Sequence, residues 1–132
     1  MNNEDLLAMA EKVMQRSYSP YSDFKVGAAI LAKNGEVYTG TNVENVSFGM
    51  TVCAERNSVF TAIGKGDKEF VRLALVTEAE TMVPPCGACL QVLKEFADDL
   101  EVIIKWKNGC QTVTLKELLP MAFDYELKVG KK

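Results

Sequence analysis

The residues best suited to chemistry in this chain of 132 residues are its four cysteines, because the sequence contains no histidine. The lack of histidine excludes Ser-His and Cys-His nucleophilic catalysis, and it excludes every metal site that needs an imidazole ligand. Acid–base chemistry must then fall to a carboxylate, a lysine, a tyrosine, a cysteine or a metal-bound water. The cysteines stand at positions 53, 86, 89 and 110.

Three of these cysteines have the pattern of a metal site. Cys86 and Cys89 are three residues apart in PPCGAC, so on a helix they share a face, and Cys53 would join them from the start of another helix. Three protein ligands with one open position are typical of catalytic zinc, which makes water a nucleophile near neutral pH. The pattern therefore predicts a catalytic zinc site, with Cys110 as a small core residue.

Glu55 and Arg56 lie close behind the first of these cysteines. Glu55 is two residues from Cys53, so it points in another direction on a regular helix, and we expect it beside the metal as a proton carrier. A zinc ion with three thiolates carries a net charge of −1, which weakens its effect on water. We expect Arg56 and the helix N-termini to offset that charge, Arg56 by hydrogen bonds to the sulfurs.

Two non-catalytic interpretations remain open on these residues alone. Cys86 and Cys89 form a CxxC that would suit a thioredoxin-like redox pair at a helix N-terminus, although this leaves Cys53 unexplained. A closed structural zinc site with Cys110 as its fourth ligand would make the chain a binding module, and it gives Glu55 no role.

The composition indicates one globular domain over residues 1–132, with 48% hydrophobic and 25% charged residues. The sequence has no run of about 18 apolar residues, and its N-terminus is acidic and helix-patterned rather than that of a signal peptide. We therefore expect a cytoplasmic protein with no membrane contact. A net charge of −3 with scattered Lys and Arg residues argues against nucleic acid as a partner.

Helical and strand patterns alternate along the chain in the order α-β-β-α-β-α-β-β-α. Thr51 is the expected cap of the second helix, residues 43–51 read as a loop, and Asn34-Gly35 and Asn108-Gly109 read as hairpin turns. The order predicts an α/β sandwich around a mixed sheet of five strands, with an antiparallel hairpin near each end. The predicted helices span residues 2–17, 52–63, 86–97 and 116–119, and the predicted strands span 24–32, 36–43, 70–77, 101–107 and 111–115.

Beyond the cysteines, the sequence resembles the small, homotetrameric, zinc-dependent cytidine deaminases from about residue 17 to residue 123. The resemblance is carried by SYSPYSDFKVGAA, GTNVENVSFGMTVCAER, PPCGACLQVLKEF and ELLPMAF. Zinc nucleobase deaminases have a Cys-x-Glu and Pro-Cys-x-x-Cys signature in which the glutamate is the general acid and base and not a ligand. The resemblance implies a three-layer α-β-α sandwich, one zinc per subunit, and hydrolysis of cytidine and 2′-deoxycytidine to uridine and 2′-deoxyuridine plus ammonia in pyrimidine salvage.

The resemblance also assigns the zinc ligands and the catalytic residue. Cys53, Cys86 and Cys89 correspond to the ligands, Glu55 corresponds to the proton carrier, and Arg56 occupies the position of an arginine beside the sulfurs.

Five further positions correspond to residues that bind the nucleoside. Asn42 and Glu44 match a pair that holds the ribose hydroxyls, Phe24 matches an aromatic residue that packs on the pyrimidine, and the backbone at Ala54 would meet the base. Phe123 matches an aromatic residue that reaches the site of a neighbouring subunit. Without the resemblance, Asn42 and Glu44 would be read as caps of their own loop, and the two phenylalanines as core.

Two positions depart from the family pattern. Leu90 stands where arginine commonly follows PCGAC, and Phe48 stands where tyrosine is common. We expect Leu90 to alter a local hydrogen bond or a subunit contact, and Phe48 to remove a hydroxyl group near the loop that would hold the sugar. Neither change removes a metal ligand. Blasticidin, guanine and polynucleotides are rival substrates within the deaminases, but NVEN, the small size and the acidic charge favour a free pyrimidine nucleoside.

Overall fold

The computed structural model describes residues 1–124, and in them the helices and strands follow the predicted order. None of the helices in this part of the chain is long and apolar enough to cross a membrane. A short 3₁₀ turn, Phe48–Met50, lies in the loop before α2. The helices are α1 (Asn3–Met14), α2 (Ala54–Gly64), α3 (Gly87–Phe96) and α4 (Leu115–Leu118), and the strands are β1 (Val26–Ala32), β2 (Val37–Thr41), β3 (Phe70–Thr77), β4 (Glu101–Trp106) and β5 (Gly109–Thr114).

The N-cap of α1 is an asparagine, whereas the N-cap of α2 differs from the predicted residue. Asn2 caps α1, where its Oδ1 accepts the N–H of Asp5 at 2.8 Å. The prediction that Thr51 caps α2 is wrong, since the capping residue is Cys53. Val52 pairs with Val43 in an antiparallel bridge, and this pairing keeps the backbone extended up to the cysteine.

The five strands form one mixed sheet in the order β2-β1-β3-β4-β5. β3 and β4 are parallel, and the other three neighbouring pairs are antiparallel. A parallel pair needs a crossover, which α3 provides between the two strands. Both predicted hairpins, β1-β2 and β4-β5, are confirmed.

Helices cover both faces of the sheet, which confirms the three-layer α-β-α sandwich. On one face, α1 buries Leu6, Ala10 and Met14 against side chains such as Leu31 and Ile103. On the other face, α2, α3 and α4 pack over a larger core. Successive strand residues point to opposite faces, so β1 contributes to both cores.

Cys110 lies on the edge strand β5 and is exposed, so the prediction that it is a core residue is wrong. It pairs with Lys105 of β4, and both side chains point to the face that α1 covers. Helix α1 packs mainly on β1, β2 and β3. The outer edge of this face is therefore open. The prediction failed because the sequence pattern of a strand does not distinguish an edge strand from a central one.

Helix α2 lies directly on β2 because residue 40 has no side chain. A Cβ on Gly40 would lie 2.4 Å from the backbone nitrogen of Ser58 and 2.7 Å from the carbonyl oxygen of Ala54. A neighbouring hydrogen bond, from Asn57 Nδ2 to the carbonyl oxygen of Thr41 at 2.8 Å, joins the same two elements. These contacts fix the start of α2, and with it the position of Cys53.

We predict that Gly40→Ala destabilises the protein by roughly 1–3 kcal/mol, since the added methyl group meets backbone atoms that cannot move independently. The measurement is the thermal unfolding midpoint at a fixed protein concentration. Gly64→Ala, at the end of α2, is the matched control, because a Cβ there meets nothing within 4 Å. Equal midpoints for the two variants would contradict the prediction.

Candidate metal centre

The N-termini of α2 and α3 meet at the three-cysteine set. Cys53 is the N-cap of α2, and Cys86 is the N-cap of α3. Cys89 lies in the first turn of α3, on the same face as Cys86. The three Sγ atoms all lie within 4.8 Å of one another, at 3.8 Å between Cys53 and Cys86 and 3.6 Å between Cys86 and Cys89.

These separations fit a single zinc ion. Zinc–sulfur bonds of about 2.3 Å in tetrahedral geometry place two sulfurs about 3.8 Å apart. Cys89 is buried, Cys53 is half-buried and Cys86 is exposed, so the set has one side towards solvent. Cys110 is not part of the cluster, which leaves three ligands and an open position.

Arg56 lies against the sulfurs. Its Nη2 donates to Cys53 Sγ at 3.5 Å, and its buried Nε has no hydrogen-bond partner among residues 1–124. Hydrogen bonds with the Cys89 thiol, the Arg56 guanidinium and the Cys86 thiol lower the pKa of Cys53 to about 5. The contact with Cys53, together with burial, raises the pKa of Cys89. The guanidinium therefore already stabilises one thiolate, as expected for a residue that offsets the charge of the cluster.

Glu55 is the buried carboxylate of the site, with only 4% of its surface exposed. It lies in the first turn of α2 and, within the described residues, the candidate metal ligands are the three cysteines alone. Burial, and then the negative charge of Cys53, raise the pKa of Glu55 to about 7. A carboxyl group in this range can both accept and donate a proton near neutral pH.

Asn42 holds the beginning of β1 in place. Its Oδ1 accepts from Ser17 Oγ at 2.6 Å and from the N–H of Val26 at 3.0 Å, and its Nδ2 donates to the carbonyl oxygen of Phe24 at 2.7 Å. The side chain is 7% exposed. The loop-capping role considered from the sequence is thus present, and it uses one of the two Nδ2 hydrogens.

Glu44 caps the loop that precedes Phe24. Its Oε1 accepts the N–H groups of Tyr21 at 3.0 Å and Ser22 at 3.1 Å, and its Oε2 accepts the hydroxyl of Ser22. Hydrogen bonds from the Ser22 hydroxyl and the two backbone N–H groups lower the pKa of Glu44, so the carboxylate is charged. The sequence did not single out Ser22, which is one of several polar residues in SYSPYSDF.

The loop before β1 and the loop before α2 connect to the metal centre through backbone pairing. Tyr18 pairs with Val43, and Val43 pairs with Val52, directly before Cys53. Asp23 has a φ of 57°, in the left-handed region that aspartate tolerates better than most residues. Ala54, the first residue of α2, is buried, and its N–H is one of the groups that a helix N-terminus leaves unpaired.

The remaining candidates differ in their surroundings. Phe24 is partly buried, whereas the side chain of Phe123 is 75% exposed and is not a core residue. Gln91 Nε2 donates to the carbonyl oxygen of Phe123 at 2.7 Å and fixes the segment that carries it.

Leu90 packs in the core beneath α3, and Phe48 meets Tyr21 edge to face at 5.9 Å.

Three comparisons relate the chain to known proteins. Residues 1–105 match the model of the cytidine and deoxycytidylate deaminase zinc-binding region. The chain is 42% identical to a cytidine deaminase of Halalkalibacterium halodurans, covering 96% of this chain and 97% of that protein. It is 43% identical to a cytidine deaminase of Sporosarcina psychrophila, covering 96% and 94%. The crystal structure of cytidine deaminase from Burkholderia pseudomallei superposes with a TM-score of 0.89 at 39% identity, covering 93% of this chain and 100% of that one.

We predict one zinc ion per chain in the wild type and in Cys110→Ser, and loss of most of the zinc in Cys86→Ser. The reason is that Cys86 is one of the three clustered sulfurs, whereas Cys110 lies outside the cluster. Elemental analysis of the purified variants after dialysis measures the ratio. Zinc loss in Cys110→Ser would instead favour the closed four-cysteine module.

Proposed function

The chain belongs to the zinc-dependent cytidine deaminases, and we propose that Glu55 and the three-cysteine centre hydrolyse cytidine and 2′-deoxycytidine to uridine and 2′-deoxyuridine plus ammonia. The observation that carries this proposal is the buried carboxylate of Glu55 in the first turn of the helix that Cys53 caps. It gives the site a proton carrier that a redox pair or a structural zinc site does not need.

Glu55 performs the proton transfers of the proposed reaction. Cys53, Cys86 and Cys89 would hold the zinc ion, which would supply the Lewis acidity that makes water a nucleophile near neutral pH. The carboxylate of Glu55 accepts a proton from the water that attacks C4 and delivers it to N3 of the pyrimidine. It then takes the proton of the hydroxyl group now on C4 and delivers it to the exocyclic amine. The C4–N bond breaks, ammonia leaves, and C4 becomes the carbonyl carbon of the uracil base. Because Glu55 is buried, bulk water does not compete for these protons.

Arg56 and the helix N-termini stabilise the thiolate form of the ligands. A guanidinium donating to Cys53 Sγ opposes the negative charge that three thiolates place beside the carboxylate of Glu55. The positive ends of two helix dipoles act in the same direction. We infer that these groups make three sulfur ligands compatible with the acidification of water.

The loops before β1 and α2 supply the proposed nucleoside contacts. Phe24 packs on the pyrimidine, and the backbone N–H of Ala54 meets the base. Asn42 retains one Nδ2 hydrogen and Glu44 retains one acceptor position on Oε2, and these groups would hold the sugar hydroxyls. This division fits a free nucleoside better than blasticidin, guanine or a polynucleotide.

We propose that the enzyme is a homotetramer with shared active sites, in which Phe123 of one subunit reaches the site of another. The support is a set of apolar side chains that are at least half exposed, namely Val46, Phe48, Met50 and Phe60. Exposed apolar groups of this size are typical of interfaces. We also propose a cytoplasmic location, since the three ligand thiols need a reducing compartment.

Glu55→Gln should keep its zinc and still bind cytidine, because the carboxylate is not a ligand and the sugar contacts are unchanged. Its kcat should fall by at least about 10⁴-fold, which is the upper end of the range for one general acid–base group. This fall corresponds to an activation free energy raised by at least about 5 kcal/mol. Zinc content, cytidine binding and the absorbance change of deamination are measured on one preparation.

Glu69→Gln serves as the control for Glu55→Gln, since Glu69 forms an exposed ion pair with Lys33 at 3.7 Å. Its kcat should equal that of the wild type. Turnover of Glu55→Gln within tenfold of the wild type would refute the mechanism, and zinc loss would show that Glu55 is a ligand.

Phe123→Ala should raise KM for cytidine or lower kcat if the ring completes a neighbouring site. Met121→Ala is the matched control, because Met121 lies in the same segment and is 93% exposed. Steady-state kinetics are combined with light scattering on both variants. Unchanged kinetics in Phe123→Ala, or a fully active monomer, would refute the shared site.

A further inference from the structure

Ser22 connects two of the proposed substrate contacts. Its hydroxyl donates to Oε2 of Glu44 and accepts the backbone N–H of Phe24 at 3.0 Å. Its own backbone N–H donates to Oε1 of Glu44 at 3.1 Å. One short side chain thus holds both the carboxylate expected at the sugar and the backbone of the aromatic residue expected at the base.

We propose that Ser22 is a positioning residue for nucleoside binding, which fixes the free acceptor position of Glu44 and the backbone of Phe24 relative to each other. The inference rests on the proposed function, because the roles of Glu44 and Phe24 come from it. Ser22 itself need not touch the substrate.

The hydrogen bonds of Glu44 leave a defined place for one more donor. A carboxylate has about four acceptor positions. Two on Oε1 are taken by the N–H groups of Tyr21 and Ser22, and one on Oε2 is taken by the Ser22 hydroxyl. A sugar hydroxyl can therefore bind only at the remaining position on Oε2, whose direction depends on the Ser22 contact.

The same hydroxyl stabilises the turn that places Phe24. A serine that accepts the N–H two residues later forms a local turn, here across Asp23 with its φ of 57°. The carbonyl oxygen of Phe24 is held separately by Asn42 Nδ2 at 2.7 Å. Losing the serine hydroxyl should therefore loosen the Phe24 backbone on one side without releasing it.

The position of Ser22 separates this role from a general structural one. The side chain is exposed, so Ser22→Ala leaves no cavity in either core. The two backbone N–H groups on Oε1 of Glu44 remain in the variant. We therefore expect only a small fall in the unfolding midpoint and a kinetic effect confined to substrate binding.

The experiment compares Ser22→Ala and Ser22→Thr with two substrates, cytidine and 2′,3′-dideoxycytidine. Ser22→Ala should raise KM for cytidine about tenfold, as for loss of a hydrogen bond to a charged group, with little change in kcat. Ser22→Thr keeps the hydroxyl and should restore KM. The effect of Ser22→Ala on KM should shrink for the dideoxy substrate, which has no 2′- or 3′-hydroxyl for Glu44 to bind.

Two further variants test whether Ser22 acts through Glu44. In a Glu44→Ala background, Ser22→Ala should change KM by only about threefold or less, because coupled residues are not additive. Ser47→Ala is the matched control, since it removes an exposed hydroxyl from the neighbouring loop, and KM should not change.

The outcomes distinguish this inference from the proposed function. A wild-type protein without cytidine deamination would refute the proposed function itself. Normal wild-type turnover with an unchanged KM in Ser22→Ala would overturn only the role of Ser22. So would an effect of equal size on both substrates together with full additivity in the Glu44→Ala background.

Discussion

The meeting of two helix N-termini is the constraint on which the rest of the site depends. Both capping residues are cysteines, Cys53 on α2 and Cys86 on α3, so the positive ends of both helices are directed towards sulfur. Helix N-termini favour negative charge nearby. The backbone of the fold therefore prepares a place for thiolates, and a metal ion then binds to groups whose geometry is already set.

Placing a carboxylate beside these sulfurs creates an electrostatic conflict. Glu55 is buried close to Cys53, and burial and the sulfur charge both disfavour its ionised form. Arg56 is the nearby positive group that opposes this effect, and its buried Nε has no partner among residues 1–124. Zinc adds positive charge at the same point, so the metal and Arg56 together make one compact site of thiolates and a carboxylate possible.

The sequence predicted the structure best where a short motif lies at the start of a helix or within a strand. The order of elements predicted the mixed sheet of five strands. The spacing of PPCGAC, with Cys53 expected at the start of another helix, predicted all three clustered sulfurs. Features that depend on distant pairing were not predictable. The start of α2 was shifted by the bridge between Val43 and Val52, and Cys110 was misplaced because strand patterns do not reveal a sheet edge.

The contacts of Glu44 and Asn42 show loop capping, and this capping is compatible with the sugar binding that we propose for the same two residues. The hydrogen bonds that Glu44 accepts from the backbone N–H groups of Tyr21 and Ser22 span more than 20 positions of sequence, a separation that no local sequence pattern reports. A free carboxylate or amide on a loop would move between rotamers and bind a sugar weakly, because ordering it costs entropy. In this chain most of the acceptor capacity of both side chains is used to hold the segment before β1. The same hydrogen bonds that order this segment therefore leave Glu44 and Asn42 with few unused positions, each with a fixed direction.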